Sequence, residues 1–243
     1  MLTMTATRLP MKPHGTKGTL ITFCGLDGSG KTTLINYVKS RLEKEGHKNP
    51  IVLVKQPTDF VRNLPIFRAF SDSNGYEKYD YRSLSVLCAS DRIQHCNRVI
   101  KPLLEQGCTV ISDRYYFSCL ANLWARGYHD EQWIIELAEH IQKPDAAFFL
   151  EISAETAAAR VHMRPDEAEC RIDDELQRRL QYAFSAIAAA NDGITVGTSG
   201  ETSESCEIVF ERIKQILENK EEDLYEYQCY KKNMSVGTEK QPE

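Results

Sequence analysis

The stretch Gly25-Leu26-Asp27-Gly28-Ser29-Gly30-Lys31-Thr32-Thr33 decides the fold of this chain of 243 residues. It follows an apolar run at 19–24 and precedes an amphipathic run at 34–45, so it is the turn of a strand–loop–helix unit. A phosphate-binding loop occurs in that context. The glycines allow consecutive backbone N–H groups to point at phosphate oxygens, and the positive N-terminal end of the following helix also faces the anion. The stretch therefore predicts a nucleoside triphosphate site rather than a plain glycine-rich turn.

Two residues of this loop have separate predicted roles. The ammonium group of Lys31 is expected to reach the β- and γ-phosphates, and the hydroxyl of Thr32 is expected to bind Mg²⁺. The residues expected to hold the nucleoside triphosphate are Gly25, Asp27, Gly28, Ser29, Gly30, Lys31, Thr32 and Thr33.

The composition limits the function classes. With 42% hydrophobic residues the chain has enough apolar side chains for one substantial α/β core, and we expect a single domain at 18–218. The net charge of −5 provides no basic surface for nucleic acid, and no apolar run approaches the roughly 20 residues that span a bilayer. These features predict a protein that acts on small molecules, with no nucleic acid and no membrane as partner.

The cysteines and the two ends of the chain complete this outline. The eight cysteines contain no Cys-x-x-Cys pair and several lie in apolar segments, which favours reduced thiols and a cytoplasmic location. The polar stretch 1–17 lacks the apolar core of a signal peptide and predicts a disordered leader. The stretch 219–243 is rich in charge without a periodic apolar face, which predicts a disordered tail.

Apolar runs alternate with segments of helical period along the rest of the chain. Short runs of buried-strand type lie at 51–54, 108–112, 146–152 and 194–196. Between and after them, helical periods cover 60–70 (with Pro65 as an interruption), 79–106 (with a kink at Pro102), 117–126, 130–142, 154–163, 172–191 and 203–217. Alternating strands and helices form a parallel sheet covered on both faces. We therefore predict an α/β fold, a three-layer sandwich of the P-loop NTPase type with a parallel five-stranded sheet flanked by helices.

Charged residues follow the predicted strands where ligands of such sheets bind. Pro57 and Asp59 follow the second strand, and Asp113-Arg114-Tyr115 stands at the end of the third. Arg160, Arg164 and Arg171 flank a charged break at 164–170. Such a run is usually a solvated face, and a mobile lid at about 160–172 is the alternative interpretation.

With these segments placed, the chain resembles the thymidylate kinase family of nucleoside monophosphate kinases over about 19–217. The segments that carry the resemblance are the glycine-rich loop, Lys55-Gln56-Pro57, Ala89-Ser90-Asp91-Arg92, Ile100-Lys101-Pro102-Leu103, Asp113-Arg114-Tyr115, Lys143-Pro144-Asp145 and Cys170-Arg171-Ile172-Asp173. The resemblance implies ATP-dependent phosphoryl transfer to a deoxynucleoside or ribonucleoside monophosphate, foremost dTMP to dTDP, with Mg²⁺ as cofactor. It also implies a homodimer.

The resemblance assigns catalytic roles to a small set of charged residues. Arg114 would grip the acceptor phosphate, because a guanidinium group matches two phosphate oxygens at once. Asp113 would place Mg²⁺ through water. The full catalytic set implied is Lys31, Asp113, Arg114, Arg164 and Arg171, the last two as lid residues that stabilise the transition state.

The acceptor site implied by the family combines matches with departures. Asp27 would contact the 3′-hydroxyl of the acceptor sugar and Arg92 its base. Three residues of the family are replaced. Gln56 stands for a glutamate expected beside the reacting phosphates, Cys88 for an aromatic that stacks on the acceptor base, and Asn122 for an aromatic that crowds the 2′ position of the sugar. The predicted acceptor-binding set is Asp27, Pro57, Cys88, Arg92, Arg114, Ser118 and Asn122. We expect these replacements to change the preferred acceptor, with Tyr115, Tyr116, Phe60 or Phe70 as a replacement stacking surface.

Several alternatives stay open on the sequence. The chain is compatible with a kinase of a nucleoside or another small hydroxyl compound, with Asp59 or Asp27 as base. It is also compatible with a nucleotide-dependent switch or binding protein. For single residues, Asp113 and Arg114 can form a plain ion pair, Asp27 can stabilise a turn, and Arg92 can pair with a surface neighbour.

Overall fold

The computed structural model describes residues 7–71, 76–169 and 172–236 of the chain. The strands are β1 Lys12–Pro13, β2 Thr19–Gly25, β3 Ile51–Lys55, β4 Thr109–Asp113, β5 Gln142–Lys143, β6 Ala146–Glu151 and β7 Ile194–Gly197. The α-helices are α1 Lys31–Lys44, α2 Asp59–Arg62, α3 Pro65–Ser71, α4 Tyr81–His95, α5 Lys101–Glu105, α6 Phe117–Ala125, α7 Gln132–Glu136, α8 Ala154–His162, α9 Asp174–Ala190 and α10 Thr202–Val236.

Five of the strands form one parallel sheet in the order β3-β4-β2-β6-β7. The central strand β2 carries the glycine-rich loop at its carboxyl end, and Phe23 of β2 lies opposite Asp113 of β4. The predicted five-stranded parallel sheet is confirmed. Because all five strands run in the same direction, the segments that follow β2, β3 and β4 meet at one edge of the sheet.

Helices cover both faces of this sheet, as predicted. Side chains along a strand alternate between faces, so Ile21 and Phe23 pack in a cluster with side chains of α1 and α10. Leu20 and Cys24 pack on the opposite face, in a larger cluster that includes side chains of α4, α6 and α9. Two apolar clusters therefore hold three layers together.

Two prolines interrupt the helical segments. The predicted helix at 60–70 is divided into α2 and α3, and Pro65 is the first residue of α3, where its missing N–H is tolerated. The predicted helix at 79–106 contains a π-helical turn at Cys96–Ile100 between α4 and α5. Pro102 lies just after this turn, and because proline clashes with the carbonyl four residues earlier, the backbone adopts the wider turn.

Both segments that were predicted to be disordered contain regular secondary structure. Leu9 is buried, its N–H donates to Oδ1 of Asn191 at 2.8 Å, and β1 pairs in parallel with β5. Helix α10 continues past residue 219 to Val236. Residues that are distant in the sequence hold the first of these segments in place. Local periodicity does not reveal such partners. The stretches 1–6 and 237–243 lie outside the described residues.

None of the described helices combines the length and the apolar character that crossing a membrane requires.

Candidate active site

A cleft of about 640 Å³ opens at the carboxyl ends of β2, β3 and β4. Its walls are the glycine-rich loop, α2, α3, α4, α6 and the segment after α8. A volume of this size suits small ligands such as nucleotides. The cleft contains the following predicted site residues: Gly25, Asp27, Gly28, Gly30, Lys31, Thr32, Thr33, Pro57, Cys88, Arg92, Asp113, Arg114, Ser118, Asn122 and Arg164.

The backbone of the loop has a shape that requires glycine. Gly28 and Gly30 have φ angles of 84° and 91°, in the left-handed region. A Cβ atom built on Gly28 would lie 2.2 Å from the carbonyl oxygen of Ala157. Ser29, within the loop, is completely buried. The loop therefore packs directly on α8, with its N–H groups next to the start of α1.

Lys31 is buried inside this loop. Its Nζ donates to the carbonyl oxygens of Gly25 at 3.1 Å and Leu26 at 2.5 Å, and to Oγ of Ser29 at 3.4 Å. Burial lowers the pKa of Lys31 to about 8, and the positive charge of Arg114 acts in the same direction. Its hydrogen bonds go to neutral oxygens, and the nearest carboxylate oxygen among the described residues, Oδ1 of Asp27, lies 4.0 Å away. Added negative charge would therefore stabilise the ammonium group.

Arg114 connects β4 to the loop after β2. Its backbone has a φ of 68°, unusual for a residue with a side chain. Nη1 donates to the carbonyl oxygen of Gly25 at 3.2 Å, and Nη2 donates to Oδ1 of Asp27 at 2.5 Å. The guanidinium group of Arg114 holds the pKa of the Asp27 carboxyl well below its ordinary value. Arg114 therefore pairs with Asp27, and the alternative of a plain ion pair with Asp113 is wrong.

Asp113 retains an unused oxygen beside this pair. Its Oδ1 is buried and, among the described residues, has no hydrogen-bond partner. The side chain of Thr32 is exposed in the same cleft. Magnesium at phosphate sites takes one or two protein oxygens and fills its other positions with water and phosphate. Asp113 and Thr32 fit that pattern, and the described residues contain no group of three or more His, Cys, Asp or Glu that suits another metal.

Arg92 is a buried arginine of α4. Only 3% of it is exposed, so the alternative in which it pairs with a surface neighbour is wrong. Nη1 donates to the carbonyl oxygen of Cys88 at 3.1 Å, and Nε donates to that of Tyr115 at 3.3 Å. A buried charge held by neutral carbonyls favours a negatively charged or strongly polar ligand.

Arg62 of α2 is a cleft residue that the sequence analysis missed. Its Nε donates to the carbonyl oxygen of Pro57 at 2.7 Å. Burial lowers the pKa of Arg62, and the charges of Arg114 and Arg92 add to this effect. All three side chains line the same cleft. A usable signal existed, because Arg62 lies in the segment that follows β3, and ligands of a parallel sheet bind at the carboxyl ends of its strands.

Asp91 is a second missed residue, and it positions that segment. Its Oδ2 accepts from the backbone N–H of Thr58 at 2.7 Å and its Oδ1 from the Thr58 hydroxyl at 2.5 Å. These bonds tie the start of α2 to α4, which carries Arg92. The carboxylate of Asp91 thereby holds Arg62 and Arg92 on the same side of the cleft.

The predicted place of Gln56 beside the reacting phosphates is wrong. Gln56 is completely buried, does not line the cleft, and its Nε2 lies 3.1 Å from Nδ1 of His95. The residues on either side of it, Lys55 and Pro57, do line the cleft.

The other replaced positions do line the cleft. Cys88 of α4 is partly buried and lines the cleft one helical turn before Arg92. Asn122 of α6 donates through Nδ2 to the carbonyl oxygen of Ser118 at 2.9 Å, and its Oδ1 accepts from Arg126 at 2.9 Å. The Arg126 guanidinium group lies 4.0 Å from the ring centroid of Tyr81. Asn122 therefore orients Arg126 over an aromatic ring that the sequence analysis did not select.

The four aromatic residues expected as replacement stacking surfaces differ in whether they line the cleft. Tyr115 and Tyr116 are fully buried, with their hydroxyls bonded to carbonyl oxygens of Gln142 and Ile134. Phe60 is 75% exposed and does not line the cleft. Only Phe70 of the four lines the cleft, where its ring meets the ring of Tyr81 edge to face at 4.9 Å.

The predicted lid is described only in part. Arg164 is exposed, lines the cleft, and its Nη1 bonds to Oε2 of Glu167 at 2.9 Å. Arg160 instead bonds to the carbonyl oxygen of Thr198 at 2.9 Å. Arg171, the second predicted lid arginine, and Cys170 lie outside the described residues.

Comparisons with known proteins agree with this geometry. A family model described as thymidylate kinase matches residues 23–213. The chain is 34% identical over 169 residues to the probable thymidylate kinase of Thermococcus kodakarensis, which covers 68% of this chain and 81% of that protein. It is 31% identical over 204 residues to the thymidylate kinase of Mesoplasma florum, and 28% identical over 214 residues to that of Prochlorococcus marinus. These two matches cover 81% and 84% of this chain, and 93% and 100% of the respective relatives.

Proposed function

Because the chain belongs to the thymidylate kinase family, we propose that its cleft transfers the γ-phosphoryl group of ATP to dTMP, giving ADP and dTDP. The chain is an enzyme of the nucleoside monophosphate kinase type. One observation supports the proposal above all others. Arg62, Arg92 and Arg114 line one cleft beside the glycine-rich loop.

The donor phosphates would bind to the loop. Its N–H groups and the N-terminal end of α1 face the anion, and Lys31 supplies the positive charge next to the β- and γ-phosphates. Binding of the triphosphate would stabilise the ammonium form of Lys31, because negative charge raises a pKa that burial has lowered. When bound at Thr32 and Asp113, Mg²⁺ would neutralise charge on the phosphate oxygens.

The acceptor phosphate would bind between the loop and α2. Arg114 and Arg62 both direct guanidinium groups into that part of the cleft, and a guanidinium fork suits phosphate oxygens. Asp27 would receive the sugar 3′-hydroxyl while keeping Arg114 in place. Phosphoryl transfer needs alignment and charge neutralisation more than covalent help, and these residues supply both.

The remaining expectations are part of the same proposal. Arg164 and Arg171 would close over the donor and stabilise the charge of the transition state. A homodimer is supported by the exposed apolar side chains Val86 and Leu87 on α4. A cytoplasmic location is supported by the free cysteines of the described residues.

An ATP-consumption assay with purified protein and Mg²⁺ tests the function directly. The acceptors are a panel of deoxyribo- and ribonucleoside monophosphates, the matching nucleosides, and no acceptor. We expect turnover that requires a monophosphate, with dTDP as the product from dTMP. Turnover on a nucleoside, or turnover that does not depend on any acceptor, would contradict the proposal. The panel also tests whether Cys88 and Asn122 extend the range of acceptors beyond dTMP.

A further inference from the structure

The acceptor side of the cleft contains a polar side chain without an assigned role. Ser85 of α4 is only 3% exposed and lines the cleft. Its Oγ is buried and has no hydrogen-bond partner among the described residues. A buried hydroxyl without a partner lowers the stability of a protein, typically by about 1–3 kcal/mol. Such a group is therefore expected to meet a partner in another state of the molecule.

Ser85 shares one face of α4 with other cleft residues. Tyr81, Ser85, Cys88 and Arg92 follow at intervals of four, three and four residues, and all of them line the cleft. Ser85 and Arg92 are two helical turns apart, about 10 Å along the axis, with Cys88 between them. A flat ring that lies over Cys88 has Arg92 on one side and Ser85 on the other.

The polar side chains nearest to this space are already engaged. The amide of Asn122 bonds to the carbonyl oxygen of Ser118 and to Arg126, and Arg126 lies over the ring of Tyr81. Arg92 donates to two backbone carbonyl oxygens through Nε and Nη1, which uses two of its five N–H donors. The Ser85 hydroxyl can turn about a single side-chain bond, and a hydroxyl can both donate and accept. It therefore suits a ring that carries exocyclic oxygens or N–H groups.

We propose that the Ser85 hydroxyl determines acceptor specificity by forming a hydrogen bond to the nucleobase of the bound monophosphate. The proposal rests on the proposed function, since it assigns the base of that acceptor to the space over Cys88. Arg92 forms a hydrogen bond to one polar edge of the base, and Ser85 forms one to the other edge. The phosphate lies at the opposite end of the acceptor, beside Arg62 and Arg114.

The test compares Ser85→Ala with Ser83→Ala, a matched change on the exposed side of α4. Ser85→Ala is expected to raise the KM for dTMP about 3- to 10-fold, as for the loss of one neutral hydrogen bond, and to leave the KM for ATP unchanged. Thermal unfolding without ligand is expected to show an unchanged or higher Tm, because the hydroxyl has no partner in the free protein. A purely structural role of Ser85 would instead lower the Tm. Ser83→Ala is expected to change none of these values.

A second acceptor analogue locates the contact on the base. 2-Deoxyribose 5-phosphate carries the sugar and phosphate without a base, and its inhibition constant against dTMP is expected to be equal in wild type and Ser85→Ala. Equal KM values for dTMP in wild type and Ser85→Ala would overturn the inference while the kinase activity stands. An equal loss of affinity for dTMP and for 2-deoxyribose 5-phosphate in Ser85→Ala would overturn it as well. Absence of turnover on every monophosphate in the wild type would overturn the proposed function, and the inference with it.

Discussion

The donor half and the acceptor half of the cleft are built in different ways. The proposed donor half is a single stretch from Gly25 to Thr33 whose backbone would do most of the binding, and its shape follows from glycines at 25, 28 and 30. The acceptor half consists of side chains from α2, α4, β4 and α6, which are distant in the sequence. A backbone site tolerates little change in residue type, whereas a side-chain site can exchange residues while the frame stays the same. This difference accounts for departures from the family that are concentrated on the acceptor side.

Arg114 is the residue that joins the two halves, and its removal is expected to have the largest effect. Arg114→Ala should lower kcat by on the order of 100- to 1000-fold, because it removes a charge that faces the reacting phosphates. It also frees Asp27, whose carboxylate then repels them. Steady-state kinetics with dTMP and ATP measure the loss. Arg114→Lys keeps the charge without the two-pronged geometry and should recover only part of kcat; full recovery would show that charge alone matters.

Gly28→Ala tests whether the backbone defines the donor half. The added Cβ would meet the carbonyl oxygen of Ala157 at 2.2 Å, so the loop must move. A displacement near 1 Å is expected to lower kcat/KM for ATP by on the order of 100-fold. Gly30→Ala is the matched control, because its φ is also positive but nothing lies within 4 Å of the added atom. Equal losses in both variants would assign the effect to backbone strain, about 1–2 kcal/mol each.

Arg62→Ala tests the side-chain construction of the acceptor half. Loss of a charged hydrogen bond to the acceptor phosphate should raise the KM for dTMP about 10-fold or more, with a small change in the KM for ATP. Arg68→Ala provides the control, since Arg68 is exposed on α3 and bonds to Asn63 at 3.0 Å. A larger change in the KM for ATP than in the KM for dTMP would place Arg62 on the donor side and contradict the division of the cleft.

Raising the pH is expected to weaken the donor half selectively. Burial first, and then the charge of Arg114, lower the pKa of Lys31 to about 8, so the free enzyme loses the ammonium form above that pH. The value of kcat/KM for ATP should therefore be constant below pH 8 and fall about tenfold per unit above it. Lys31→Arg, although less active, should show no such fall, because arginine stays charged. The same fall in Lys31→Arg would assign the titration to another group.

The predictability of individual residues follows the same division. The loop and the five sheet strands were predicted correctly, because each depends on the residue pattern within a few positions. The direction of Gln56 was predicted wrongly, since resemblance to a motif does not show which way a side chain points. Arg62 and Asp91 were missed because their importance comes from other elements, namely from the cleft that Arg62 shares with Arg114 and from the bond of Asp91 to Thr58. The predicted roles of Arg164 and Arg171 remain predictions.

The sequence by itself determined the phosphate-binding loop, the order of strands and helices, and the family to which the chain belongs. Glycine spacing and apolar periodicity are local properties, and they constrain the backbone wherever they occur. Only the tertiary structure decided which charges meet in the cleft, that Leu9 is buried, and that the Ser85 hydroxyl has no partner among the described residues. The physical reason is that these properties depend on distances between segments far apart in the chain, which are set when the helices pack on the sheet.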